Sequence, residues 1–80
     1  MAYITFTFTN TQFDQTVQVT DLIDTTRNPI FNAPMNKGDV SPAIQCWAGA
    51  DSKGSVSVQG SVGIGLGQQT IAGDGDHFDY

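Results

Sequence analysis

Ser55-Val-Ser-Val-Gln-Gly-Ser-Val-Gly-Ile-Gly-Leu-Gly67 reads apolar and polar by turns. Val56, Val58, Val62, Ile64 and Leu66 share one parity, while Ser55, Ser57, Gln59, Ser61, Gly63, Gly65 and Gly67 share the other. Period two places alternate side chains on opposite faces of an extended strand. The start of the chain follows the same rule, with Ile4, Phe6 and Phe8 opposing Tyr3, Thr5, Thr7 and Thr9. Two such stretches, one near each end, predict an all-β fold whose sheets bury one apolar face.

Composition points the same way. All eight acidic residues are Asp, Glu is absent, and Leu occurs only at Leu22 and Leu66. The strongest helix formers are therefore nearly missing while Thr, Val, Ile, Phe and Gly are plentiful, so helix is expected as no more than a short turn. A chain of 80 residues is one domain, residues 1–80. At this size folding buries only roughly 60% of the unfolded surface, so stability leans on disulfides, a metal or partner chains. Cys46 is the single cysteine, which excludes a disulfide within the chain. Its neighbours Ile44 and Ala48 suggest a buried, reduced thiol; pairing between chains is the alternative.

Against the eight Asp stand Arg27, Lys37 and Lys53, for a net charge of −5. This disfavours nucleic acid and anionic membranes as partners. Nucleic-acid mimicry would need a long row of acidic side chains, and the Asp residues are dispersed. Met-Ala-Tyr-Ile-Thr at the start has no basic segment leading into an apolar stretch, and the apolar runs are too short to cross a membrane. Cytoplasmic synthesis without a secretory signal is expected, with incorporation into a virion or release from the cell left open.

Along the chain, Tyr3–Thr9 is expected to turn through Asn10–Asp14 and return from Gln15 to about Ile23 as a β-hairpin, with Phe13 as a plug. Asn28-Pro29, Ala33-Pro34, Asn36-Lys37-Gly38-Asp39 and Ser41-Pro42 then break regular structure, so Asp24–Pro42 reads as one long loop. A loop of this length is functional or forms an interface, and Phe31 and Met35 would give it an adaptable apolar surface. Ala43–Ala50 is apolar on both parities, as a central strand would be. After the turn Asp51-Ser52-Lys53-Gly54, the alternating run is long for one strand, so a bend is expected near Gln59-Gly60. A short strand over Thr70–Ala72, a turn at Gly73–Asp76 and an extended tail from His77 to Tyr80 complete the reading. The preferred architecture is a small antiparallel β-sandwich of the immunoglobulin-like type; a small β-barrel is the second choice.

Chemistry-bearing residues are few. Asp74, Asp76 and Asp79 put three carboxylates around Gly75, an oxygen-rich turn that could wrap a calcium ion, although the bidentate Glu and the spacing of known calcium loops are missing. His77 is the only histidine and falls short of a closed zinc set. No serine sits in a nucleophile frame, and a sheet of this size leaves little room for a water-excluding pocket, so an enzyme is not expected. Gly63, Gly65 and Gly67 recur at spacing two and line one strand face, where a second backbone could approach closely; they do not open a helix as phosphate-loop glycines do. Trp47 points away from the side taken by Ile44 and Cys46, where it could pack under the loop or stack on a sugar.

The Thr-rich first strand carries no Lys, Pro or charge from Tyr3 to Thr9, so it is read as an unprotected edge. Tyr3, Thr5 and Thr7, together with Phe31, Met35, Gly63, Gly65 and Gly67, are the expected interface. The function that follows is a non-enzymatic structural or interaction protein, a homo-oligomer of virion, tail or filament type assembled through β-edges. A small acidic inhibitor of a partner protein and a carbohydrate- or calcium-binding module are the two alternatives.

Overall fold

The computed structural model describes residues 2–61 and 67–80. Seven strands are described: β1 (Tyr3–Thr9), β2 (Gln15–Asp21), β3 (Phe31–Met35), β4 (Ile44–Trp47), β5 (Gly54–Gly60), β6 (Gly67–Ile71) and β7 (Asp76–Asp79), with a single 3-10 turn at Thr25–Arg27. They form two sheets of order β4-β1-β7 and β3-β2-β5-β6. Phe6, Phe8, Ile44 and Cys46 from the first sheet meet Val17, Val19, Met35, Val56, Val58 and Ile71 from the second in one core. This is a small all-β sandwich. Its inward residues in β1, β2 and β5 are those the alternation marks.

The connections differ from expectation. β1 and β2 do not form a hairpin, because they lie in different sheets. Buried Asn10 turns the chain across: its amide nitrogen donates to the carbonyls of Phe13 at 2.8 Å and Met35 at 3.1 Å, and its Oδ1 accepts from the Gln12 N–H at 3.3 Å. Half-buried Phe13 rides on that turn. Alternation looks the same in a strand that pairs with its neighbour and in one that packs across from it, so the corner was invisible to period alone.

The segment Asp24–Pro42 is not one loop. It holds the 3-10 turn and β3, which pairs antiparallel with β2 from Val19↔Phe31 to Gln15↔Met35. Pro34 sits within this ladder opposite Thr16, a position open to proline only where its missing N–H faces outward. The alternating run ends as a strand at Gly60 and returns as β6 against β5, from Val58↔Gly67 to Gly54↔Ile71. The break lies where it was expected, but it reverses the chain instead of bending one strand. The tail forms β7, which pairs parallel to β1 from Phe6↔Asp76 to Thr9↔Asp79. Gly75, at a φ of +86°, makes the preceding turn in a conformation that side chains resist.

The Ala43–Ala50 stretch is an edge strand, not a central one. Among the described strands β4 pairs only with β1. Both its parities read apolar because Ile44 and Cys46 fill the core while Trp47 lies half-buried against Tyr3, ring centroids 4.9 Å apart and planes at 75°. Cys46 is a free, fully buried thiol, as its neighbours Ile44 and Ala48 suggest. Burial, and then the negative charge of Asp21, pushes that thiol up to about 11.

At Gly54 the larger sheet comes close to Cys46 of the smaller one. A Cβ there would stand 2.6 Å from the Cys46 Sγ and 3.3 Å from the Ile71 Cβ. Gly54→Ala is therefore expected to cost about 1–3 kcal/mol through overpacking. At Gly49, where the nearest atoms would lie at 3.6 Å or beyond, the same change serves as control. Urea midpoints of the two variants check this, and equal midpoints would contradict the close approach.

Candidate functional site

Where each outer strand's unpaired N–H groups go decides which edge another chain can reach. In β2 and β5 the N–H of Leu22 donates to the Ser55 carbonyl and that of Ser61 to the Thr16 carbonyl. Because backbone groups alternate sides along a strand, odd residues of β5 face β2 and even ones face β6. The register of β5 with β6 then turns Gly67, Gln69 and Ile71 toward β5, and Gln68 and Thr70 away from it.

The same accounting on β3 leaves Asn32 and Pro34 outward, and Pro34 has no donor. On β4, the Ala48 N–H donates to Ala2, so Gln45 and Trp47 face outward. The Trp47 N–H is taken by the buried Asp21 carboxylate at 2.9 Å. On β7 the Tyr80 N–H donates to Thr9, leaving His77 and Asp79 outward; the His77 N–H is capped by Asp76 Oδ1 at 2.9 Å. Proline, carboxylates and short length are common devices that block edge pairing. Among the described outer strands, β6 alone combines two outward donors with no proline and no charge.

β1 is not an edge. It lies between β4 and β7, and beyond β4 its Phe8 N–H donates to Ser41 Oγ at 3.0 Å. The outward side chains of Thr5, Thr7 and Thr9 are spent on the tail. Thr5 Oγ1 donates to Asp74 Oδ1 at 2.7 Å, and the His77 ring lies 2.7 Å from Thr7 Oγ1 and 3.0 Å from Thr9 Oγ1. Edge docking through Thr5 and Thr7 is therefore corrected: parallel pairing with β7 and the bond from the Thr5 N–H to Asp74, which no local pattern announces, cover that side, while Tyr3 packs on Trp47 and bonds Asp24. Met35 is buried in the core and Phe31 packs edge-on against Phe8 at 5.7 Å, so the adaptable apolar surface is interior. Gly63 and Gly65 lie outside the described residues, and Gly67 opens β6.

The three carboxylates of the acidic turn are not brought together. Asp74 accepts from the Thr5 N–H and hydroxyl, Asp76 from the N–H groups of Ala72 and His77, and Asp79 lies 3.7 Å from the His77 ring. Among the described residues no three His, Cys, Asp or Glu side chains gather into a cation site. Backbone hydrogen bonds hold Asp74 and Asp76 below the usual aspartate value, and the hydroxyls of Thr26 and Tyr3 do so for Asp24. A carboxyl depressed in the folded state stabilises above its unfolded value of 3.8 and loses that contribution as pH falls through the folded value. The melting temperature is thus expected to be level above about pH 5 and to fall below it, less steeply in Asp74→Asn. Melting curves from neutral pH down to about pH 2.5 test this; identical slopes would deny Asp74 its role.

Two depressions among the described residues bear on ligand binding. One, of about 340 Å³, is lined by Tyr3, Ile23, Asp24 and Trp47. Tyr3 is 39% exposed and Ile23 41%; the Tyr3 hydroxyl donates to Asp24 Oδ2 at 2.6 Å, and the Arg27 guanidinium lies 4.4 Å above the Tyr3 ring. Aromatic rings beside a carboxylate suit a small polar ligand. Asp24 and Arg27 sit in the segment read as loop and Ile23 at the end of the expected second strand, so none of the three stood out in the sequence; Trp47 and Tyr3 did. The other depression, about 220 Å³, is an uncharged strip on the outer face of the larger sheet, where Gln18 is in register with Asn32 on β3 and Gln59 on β5.

Among the described residues no helix is long and apolar enough to cross a membrane. No protein-family model, curated protein or solved structure matches this chain.

Proposed function

We propose that the protein is a non-enzymatic structural or interaction protein that assembles with copies of itself by strand addition at the β6 edge. The outward N–H groups of Gln68 and Thr70, on a strand without proline or charge, are the observation that carries this reading. Strand addition draws affinity from main-chain hydrogen bonds. The low charge of this strip lets chains of net charge −5 approach there with the least repulsion.

Thr70→Pro tests it. The lost N–H points away from β5, so the fold is kept as it is at Pro34, while the edge loses a donor. Sedimentation over a concentration series is expected to show association of the natural chain and a monomer for Thr70→Pro with an unchanged melting temperature. Association that survives the substitution, or a natural chain that stays monomeric throughout, would refute the proposal.

The depression at Tyr3 and Trp47 favours a second reading, a carbohydrate-binding module. Neutral sugars stacked there are expected to perturb Trp47 emission in the natural chain and much less in Tyr3→Ala. Unchanged emission across mannose, galactose and N-acetylglucosamine would set this reading aside.

A further inference from the structure

We infer that the strand received by β6 is β6 of a second copy, in a closed two-fold dimer centred on Gln69. The inference rests on the β6 reading above and adds register and closure. β6 runs from Gly67 to Ile71, so Gln69 is its midpoint. Turning a second β6 antiparallel about that point sets Gln68 opposite Thr70 of the other copy, and Thr70 opposite its Gln68. These are the residues whose backbone groups face outward, and two residues that both face the partner strand form a hydrogen-bonded pair that exchanges two bonds. All the outward N–H groups of both β6 strands are then satisfied, along with the carbonyls beside them. A one-residue slip would set outward groups against inward ones.

The other described edges cannot take the same place at equal strength. Pro34 on β3 offers no donor, the Trp47 N–H on β4 is held by Asp21 at 2.9 Å, and the His77 N–H on β7 by Asp76 at 2.9 Å. Head-to-tail growth needs two different edges that fit one another, and β6 finds its complement only in itself. The dimer joins two four-stranded sheets into one of eight strands, across a seam carrying Gln68 and Thr70 side chains from both copies. An edge contact of five residues is small, so the dimer belongs to the weak, concentration-dependent class.

A Gln69→Cys chain distinguishes the possibilities. At a two-fold axis residue 69 faces its own copy in a non-hydrogen-bonded pair, with Cα atoms about 4.5 Å apart, inside the range a disulfide spans. The native thiol at Cys46 is buried and does not compete. Mild oxidation is expected to give a covalent dimer and no larger species, with Thr70→Pro in the same chain lowering the yield on the order of tenfold or more. Gln45→Cys, on the β4 edge, is expected to give no covalent dimer. Species growing beyond two copies, or a Gln69→Cys chain that sediments as a dimer yet forms no disulfide at position 69 on oxidation, would overturn the register and closure while leaving strand addition at β6 intact. A disulfide yield insensitive to Thr70→Pro would overturn β6 pairing itself.

Discussion

Asp21→Ala is expected to leave most of the protein unfolded at room temperature. The Asp21 side chain is fully buried and accepts three backbone N–H groups: Ile23 at 2.9 Å and Asp24 at 3.1 Å on Oδ1, and Trp47 at 2.9 Å on Oδ2. It thus ends β2, shapes the turn that follows and ties the larger sheet to the edge of the smaller one. Removing it orphans three donors, at about 1–3 kcal/mol for each that stays buried. Even with partial access of water the loss comes to roughly 3–5 kcal/mol, comparable to the whole stability of a small domain at about 5 kcal/mol. Asp21→Asn keeps one acceptor for Ile23 and Asp24 but turns its amide hydrogens toward the Trp47 N–H, so most of the loss is expected to remain. Urea unfolding followed by Trp47 fluorescence measures both. A loss below 1 kcal/mol in Asp21→Ala, against the 1–3 kcal/mol of each orphaned donor, would mean that Asp21 does not hold the sheets together.

Phe8→Ala is expected to cost a further large fraction, about 3–5 kcal/mol. Phe8 is fully buried, stacked on Phe78 at 5.4 Å and 11°, and meets Phe31 edge-on at 5.7 Å. It therefore joins the central strand of one sheet to the tail strand beside it and to the edge strand of the sheet opposite. Truncation empties the ring's volume in a place framed by two sheets, where neighbours collapse poorly. Phe8→Leu, which keeps most of that volume, is expected to lose clearly less, and Phe13→Ala, half-buried on its turn, least of all. Denaturant midpoints in the reverse order would contradict this core.

The candidate site was legible only in part. Gly67 was named, but the reason β6 matters lies in the direction of the Gln68 and Thr70 N–H groups, which follows from pairing register and not from residue type. Tyr3, Thr5 and Thr7 were read as an open edge because they lack charge and proline. That lack has the opposite cause: a strand paired on both sides needs no guard. Asp21 and Asp76 carry no signal as edge blockers, since a carboxylate reaching a distant or neighbouring backbone N–H leaves no periodic trace. Trp47 and Tyr3 pointed to a depression whose other walls, Ile23 and Asp24, lie at the end of the second strand and the start of a segment broken by proline, where no period marks them.

By itself the sequence determined that the chain is all-β, where β1 and β5 lie, and which face of each is buried. Those properties depend on side-chain alternation and on helix formers being scarce, and both act between near neighbours. Only the tertiary structure decided that β1 is central, that β4 is an edge, that the tail pairs in parallel, and that β6 ends its sheet with no described strand beyond it. Strand partners are chosen by contacts between residues far apart in the chain, and alternation is the same whichever partner a strand takes.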